Sequence, residues 1–202
     1  VVPLVLLPAR ARAAPPCLWM FPTTLKPPDK AMASPPQWIP HPIQWHNYLD
    51  LFHADKFDFL LWTRNTLIIV TLVVLGTTLS SAMVAYGFAI IRWPGRNLVF
   101  VLVLATMMLP GQVTLIPQYV TYAKLGWINT YLPLLLPSFF ASSLGSWSGA
   151  FFIFLLRQFF LGIPKDLVDA ARVDGASELR ILFQIVIPLS MPAIITVGLL
   201  TF

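Results

Sequence analysis

The chain has 202 residues, 57% of them hydrophobic and only 10% charged, against about a quarter charged in soluble domains, which excludes an ordinary soluble globule. The net charge of +5 comes from Lys and Arg scattered at the ends of apolar runs, not from a basic stripe interleaved with aromatics, so nucleic-acid binding is excluded as well. Cys17 is the only cysteine, which leaves no intrachain disulfide and no Cys-rich metal site.

Residues 1–20 read as a degenerate or partial first membrane segment. Val1 to Leu7 is apolar, but Arg10, Arg12 and four prolines fall before Leu18. A signal peptide carries its basic residues ahead of the apolar core, and two central arginines are costly in a spanning helix. Residues 21–61 are rich in proline and aromatics and read as an extracytoplasmic segment with turn and extended signals at Lys26-Pro27-Pro28-Asp29 and Pro35-Pro36-Gln37-Trp38. Ile43 to Phe59 is expected to form a short amphipathic helix at the membrane surface, with Trp38, Trp45 and Tyr48 at the interface. On that helix His46, Asp50 and His53 share a face. They read as its polar side rather than as three metal ligands.

Residues 62–202 carry the spans. Leu67 to Ile91 is a run of 25 residues without a charge, long enough at 1.5 Å per residue to cross a hydrocarbon core of roughly 30 Å. Lipid offers no partner for open backbone groups, so the run must be helical. Its Ser81, Ala85 and Ala89, and Gly76 and Ser80, are spaced by four, which suits close helix packing. A basic turn, Arg92-Trp93-Pro94-Gly95-Arg96, leads to a second span from Leu98 to about Ile116, interrupted at Pro110-Gly111. Tyr131 to Leu156 is a third, broken by Pro133, Pro137 and a polar, small-residue patch from Ala141 to Gly149; irregular backbone at membrane depth often lines a pathway. The spans place Arg92, Arg96, Arg157, Lys165, Arg172 and Arg180 on one side, in short loops, which the positive-inside rule makes cytoplasmic. From Ala193 the chain is apolar again for ten residues, to Phe202. The fold class is therefore all-α, a multi-spanning membrane helical bundle.

The loop at 161–190 is the most informative stretch. Pro164 suits the first turn of a helix, Asp166 and Asp169 lie near that helix's positive end, and Leu167, Ala170 and Ala171 form a small apolar face for a partner's groove. Asp174-Gly175 is expected to stop the helix in a left-handed turn. Ser177 is expected to cap a second helix from Glu178 that Pro188 ends. The carboxylates of Asp166, Asp169 and Asp174 have Lys165 and Arg172 beside them, which reads as ion pairing rather than acid–base chemistry.

This segment resembles the EAA loop of binding-protein-dependent ABC importer permeases: Asp169-Ala170-Ala171, three residues, Gly175, nine residues, then Ile185-x-Ile187-Pro188. Asp169 stands in place of the usual Glu and Ile187 in place of Leu. Thr24-Leu25-Lys26-Pro27-Pro28, Pro35-Pro36-Gln37-Trp38-Ile39-Pro40, Asn65-Thr66, Leu109-Pro110, Gly126-Trp127-Ile128-Asn129-Thr130-Tyr131 and Arg157-Gln158-Phe159-Phe160 are similar to the carbohydrate branch, the maltose-type permease subunits. The resemblance implies a type I ABC importer permease fold, here truncated, and a multi-pass place in a bacterial or archaeal inner membrane. It implies a translocation path for a sugar or related solute. The implied partners are a second permease subunit, a cytoplasmic ATPase and an extracytoplasmic solute-binding protein. ATP would be used by the ATPase, so no cofactor is expected here. The implied ATPase-coupling residues are Asp169, Ala170, Ala171, Asp174, Gly175, Ile185 and Pro188. The unrecognisable first span and the absent last span and a half read as a partial sequence or a degenerate, non-transporting copy. A membrane-embedded enzyme would need ionisable groups within the spans; residues 67–91, 98–116 and 131–156 contain no Asp, Glu, His, Lys or Arg, and HExxH, GxSxG and phosphate-loop motifs are missing.

Overall fold

Prolines at 22, 27, 28, 40 and 42 hold the first part of the chain to short elements. The computed structural model describes residues 18–31, 38–53, 58–140 and 148–202, and the chain divides into two units, Val1–Arg64 and Asn65–Phe202. In the first unit residues 18–24 are helical, and Pro28–Lys30 closes one 3-10 turn within the turn and extended signal at Lys26-Pro27-Pro28-Asp29. Helix α1 follows at His46–His53. Asn47 ties these pieces together: its Nδ2 donates to the carbonyls of Thr24 and Lys26, 2.9 Å in each case. Lys26 is buried, its Nζ lying 4.1 Å from the Trp19 ring centroid. His46 Nε2 meets Asp50 Oδ1 at 3.0 Å, and the side chain of His53 lies outside the described residues.

Between Asp58 and Arg92 there is no proline, and a single helix results: α2, Phe59–Ala89, 31 residues. It starts eight residues ahead of the uncharged run. Asp58 Oδ1 accepts the Leu61 N–H at 2.9 Å, which fixes the start. Arg64 interrupts nothing, because a long basic side chain can lay its stem along an apolar helix. Among the described residues α2 alone is long and apolar enough to cross a membrane unaided.

The other spans are bent. Helix α3, Arg96–Ala105, tightens into a 3-10 turn at Thr106–Met108 and meets α4, Gly111–Lys124, at 96°. The expected second span from Leu98 to Ile116 is thus not straight. Pro110 removes a backbone donor where the helix would continue and keeps Leu109 extended. The third span is broken as its prolines suggest. Short α5, Leu132–Leu135, runs into a 3-10 segment at Leu136–Phe140, and α6, Ser148–Leu161, resumes beyond residues 141–147. Most of the small-residue patch from Ala141 to Gly149 falls outside the described residues.

Helix α7, Lys165–Val173, and α8, starting at Glu178–Ile181, form the helix–turn–helix. From Leu182 to Val186 the helix takes π geometry, then returns to α at Ile187–Leu189. Pro188 has no N–H for the Gln184 carbonyl, and the widened turn makes room for its ring. The chain then swings through 85° at Ser190 into α9, Met191–Thr201, which carries Pro192 in its first turn. The second helix therefore ends one residue past Pro188.

One apolar cluster joins these pieces. Ala85 and Phe88 of α2, Phe100 of α3, Leu156 and Phe160 of α6, Val168 of α7, Leu182 and Val186 of α8, and Val197 of α9 are all buried in it. Val168 is 2% exposed, so α7 is anchored in the core of the spans.

Candidate functional site: the helix–turn–helix at residues 161–190

Each chain reversal here has a local cause. Pro164 precedes α7 with an extended ψ of 126°, and the Leu167 N–H bonds to its carbonyl at 3.3 Å. At the far end Gly175 has φ +80°, and two hydrogen bonds close the turn: Gly175 N–H to Arg172 O at 3.0 Å and Ala176 N–H to Ala171 O at 2.9 Å. This double closure satisfies the carbonyls that a helix end leaves open. Ser177 then accepts the Arg180 N–H on its Oγ at 3.3 Å and starts α8.

The two faces of α7 differ. Val168 points into the core and Ala171 is half-buried against it. Leu167, Ala170 and Val173 point outward, Val173 with 88% of its surface exposed. The free apolar face is thus Leu167-Ala170-Val173, whereas the sequence reading had Ala171 on it. A 3.6-residue period puts 167 and 170 on a different side from 168 and 171. Asp174 and Gly175 are exposed at the turn, Ile185 is half-buried against the cluster, and Pro188 is exposed on α8.

Arg172 ties the loop together. Its Nη1 donates to Asp169 Oδ1 at 3.2 Å. Its Nε and Nη2 grip Glu178 in a two-pronged pair at 2.8 and 3.2 Å, the geometry that favours arginine over lysine. Tyr86 of α2 donates its hydroxyl to the same carboxylate. Hydrogen bonding to Arg172 holds the Glu178 carboxyl below its ordinary range and raises the arginine further. Asp169 and Arg172 stand out in the sequence; Glu178 and Tyr86 do not, because the Tyr86–Glu178 bond spans 92 positions and leaves no local signal.

A second set of donors closes the nearby end of α2. Trp93 Nε1 donates to Gly87 O at 3.2 Å, Arg157 Nε to Phe88 O at 3.3 Å, and Arg96 Nη1 to Ala89 O and Ile91 O at 3.4 and 3.1 Å. Cations there also face the negative end of the helix dipole. Arg157 lies 4.2 Å from the Phe100 ring centroid. Between this end and α7 opens a cleft of about 440 Å³ lined by Arg92, Arg96, Lys165, Asp169 and Arg172, with Ile90 and Ile163 among its apolar walls. Among the described residues no three His, Cys, Asp or Glu side chains gather to hold a metal.

The sequence signature of the family "Binding-protein-dependent transport system inner membrane component" matches residues 76–202, from the middle of α2 to the end of α9. The chain belongs to that family. Among curated relatives, the arabinooligosaccharides transport system permease protein AraQ of Bacillus subtilis is 36% identical over 154 residues, covering 76% of this chain and 52% of the relative. The trehalose/maltose transport system permease protein MalG of Thermococcus litoralis is 32% identical over 188 residues, 93% of this chain and 64% of the relative. The sn-glycerol-3-phosphate transport system permease protein UgpE of Yersinia pestis is 34% identical over 178 residues, 86% and 60% respectively. The chain thus spans from about half to just under two thirds of the length of these relatives. Among solved structures, a bacterial ABC transporter involved in the import of the acidic polysaccharide alginate superposes with a TM-score of 0.78 and 27% identity, covering 99% of this chain and 68% of that one. As a member of this family of inner-membrane transport components, the chain is a multi-pass, all-α membrane protein with the fold of an ABC permease.

Proposed function

We propose that this chain forms part of the translocation path of an ABC importer for a sugar or related solute, and that α7 couples it to a cytoplasmic ATPase. The observation that carries the reading is the two-sided build of α7. Its inner face is locked to the spans through Val168 and the Arg172–Glu178–Tyr86 contacts. Its outer face, Leu167, Ala170 and Val173, is apolar and open. A helix held this way transmits a rigid push from a soluble partner into the membrane, because packed elements move as bodies rather than deform. The coupling set is Asp169, Ala170, Ala171, Asp174, Gly175, Ile185 and Pro188: Ala170, Asp174 and Gly175 at the surface, Ala171 and Ile185 setting the helices against the core. ATP is consumed on the partner, and this chain contributes no catalytic residue. A second permease subunit completes the path, and a solute-binding protein delivers the cargo. The relatives' names favour carbohydrate or polyol phosphate cargo.

The test is co-purification of the chain with the ATPase encoded beside it, for wild type, Asp169→Lys and Gly175→Pro. Retention by wild type and loss by both variants supports coupling through α7. An ATPase retained equally by all three rules out this surface.

A further inference from the structure

The cleft behind α7 holds more positive charge than the protein uses. Of its four cations, Arg96 is engaged with the carbonyls of Ala89 and Ile91, and Arg172 with Asp169 and Glu178. Arg92 and Lys165 face the same 440 Å³ space and have no hydrogen-bond or ion-pair partner among the described residues. Asp169 is the one carboxylate in the lining, and it is already paired with Arg172. Four cations facing one carboxylate across a partly enclosed, low-dielectric space raise the potential there and favour an anion.

The walls narrow the chemistry. Ile90, Ile91, Leu161 and Ile163 line the space beside the cations, so a ligand with an apolar part attached to its anionic group fits better than a small ion. The cleft lies where α2 and α6 end, and the ends of apolar spans are where a bilayer's phosphates are expected. Trp93, bonded to Gly87 O next to the cleft, is the residue type that settles at that level. We propose that this cleft is a phosphate-binding site, with Arg92 and Lys165 as its free ligands, and that a phosphodiester headgroup of an anionic lipid occupies it. The site uses the inner face of α7, away from the outer face Leu167-Ala170-Val173, and shares only Asp169 with the coupling set. It holds whether or not that assignment does. A bound headgroup neutralises charge between α7 and the spans and so steadies the helix from behind.

The experiment places the chain in nanodiscs of mixed phosphatidylglycerol and phosphatidylcholine and counts co-released lipids by native mass spectrometry. Wild type is expected to retain phosphatidylglycerol preferentially. Arg92→Gln combined with Lys165→Gln is expected to reduce that preference roughly tenfold to thirtyfold, as removal of two basic contacts at a membrane surface implies. Arg92→Lys with Lys165→Arg is expected to restore it, which separates charge from fold. A parallel arm titrates inorganic phosphate into pure phosphatidylcholine discs and follows the thermal midpoint. A phosphate-induced rise in wild type that the neutral pair abolishes, without any lipid preference, supports the site with a free phosphate as its occupant. Wild type that shows neither lipid preference nor a phosphate response overturns the proposal, and that result needs no variant to fold.

Discussion

At residues 161–190 each change of direction is closed by hydrogen bonds: the Gly175 turn, the Ser177 cap, and the grip of Arg172 on Asp169 and Glu178. Deeper in the fold, where α2 meets the 3-10 segment Leu136–Phe140, surfaces meet largely by shape. Ser80 Oγ donates to Ser138 O across it at 3.0 Å. The hydroxyls of Thr77, Thr78 and Ser81 are buried with no partner among the described residues. The wet junction is specified by polar chemistry that water would otherwise satisfy. The contact at membrane depth relies on fit, because lipid gives helices no hydrophobic reason to associate and close approach of small residues supplies the packing instead.

Four substitutions test this contrast. The largest effect is expected from Gly76→Leu: a Cβ there would already lie 2.9 Å from Ser138 Oγ and 3.1 Å from the Phe139 ring. A loss of about 1–3 kcal/mol follows from overpacking, read as a lower thermal midpoint in detergent; an unchanged midpoint would mean that shape does not set this contact. Gly175→Ala places a Cβ at φ +80° and is expected to cost about 1–2 kcal/mol, with Gly175→Asn recovering part of it. Glu178→Gln is expected to cost only about 0.2–1 kcal/mol near neutral pH, since the pair is half exposed and solvent screens it. Folding lowers this carboxyl below its ordinary 4.5. The stability it contributes is therefore present above that value and is lost as pH falls through the lower folded value. Wild type and Glu178→Gln should converge in midpoint as the buffer is taken below about pH 4.5, and a gap that persists in acid would remove the carboxylate as the cause. The smallest effect is expected from Thr77→Val, which trades an unpartnered buried hydroxyl for a methyl: no loss, and up to about 1 kcal/mol of gain. A clear loss there would show that the hydroxyl is satisfied after all.

The sequence made local features legible and long-range ones not. Pro164, Gly175, Ser177 and Pro188 act within a few residues of themselves, so the helix–turn–helix was legible, its second helix running two residues beyond the expected end at Ile187. The uncharged run from Leu67 marked α2 but missed its first turns, because one charged residue, Arg64, looks the same in sequence whether it ends a helix or lies along it. The near-right angle at Pro110 was visible as an interruption, yet an interruption carries no angle. On the outward face of α7 Val173 stands where the sequence suggested Ala171, since both are apolar and only packing against the buried cluster decides which is inside. The gathering of Arg92, Arg96, Lys165 and Arg172 around one cleft joins positions up to 80 apart in the chain and had no local signature at all.

The π turn at Leu182–Val186 holds one residue more than a regular helix would need over the same length. An α-helix advances about 100° in azimuth per residue, so this extra residue works as a phase shifter. Upstream of it, Ser177 and Glu178 fix the rotation of α8 to suit α7; downstream, Val197 fixes the rotation of α9 to suit the spans. The segment after the π turn is thereby rotated relative to the one a regular helix would give. Deleting exposed Phe183 or Gln184 would remove that phase shift while leaving Leu182, Ile185 and Val186 in the chain.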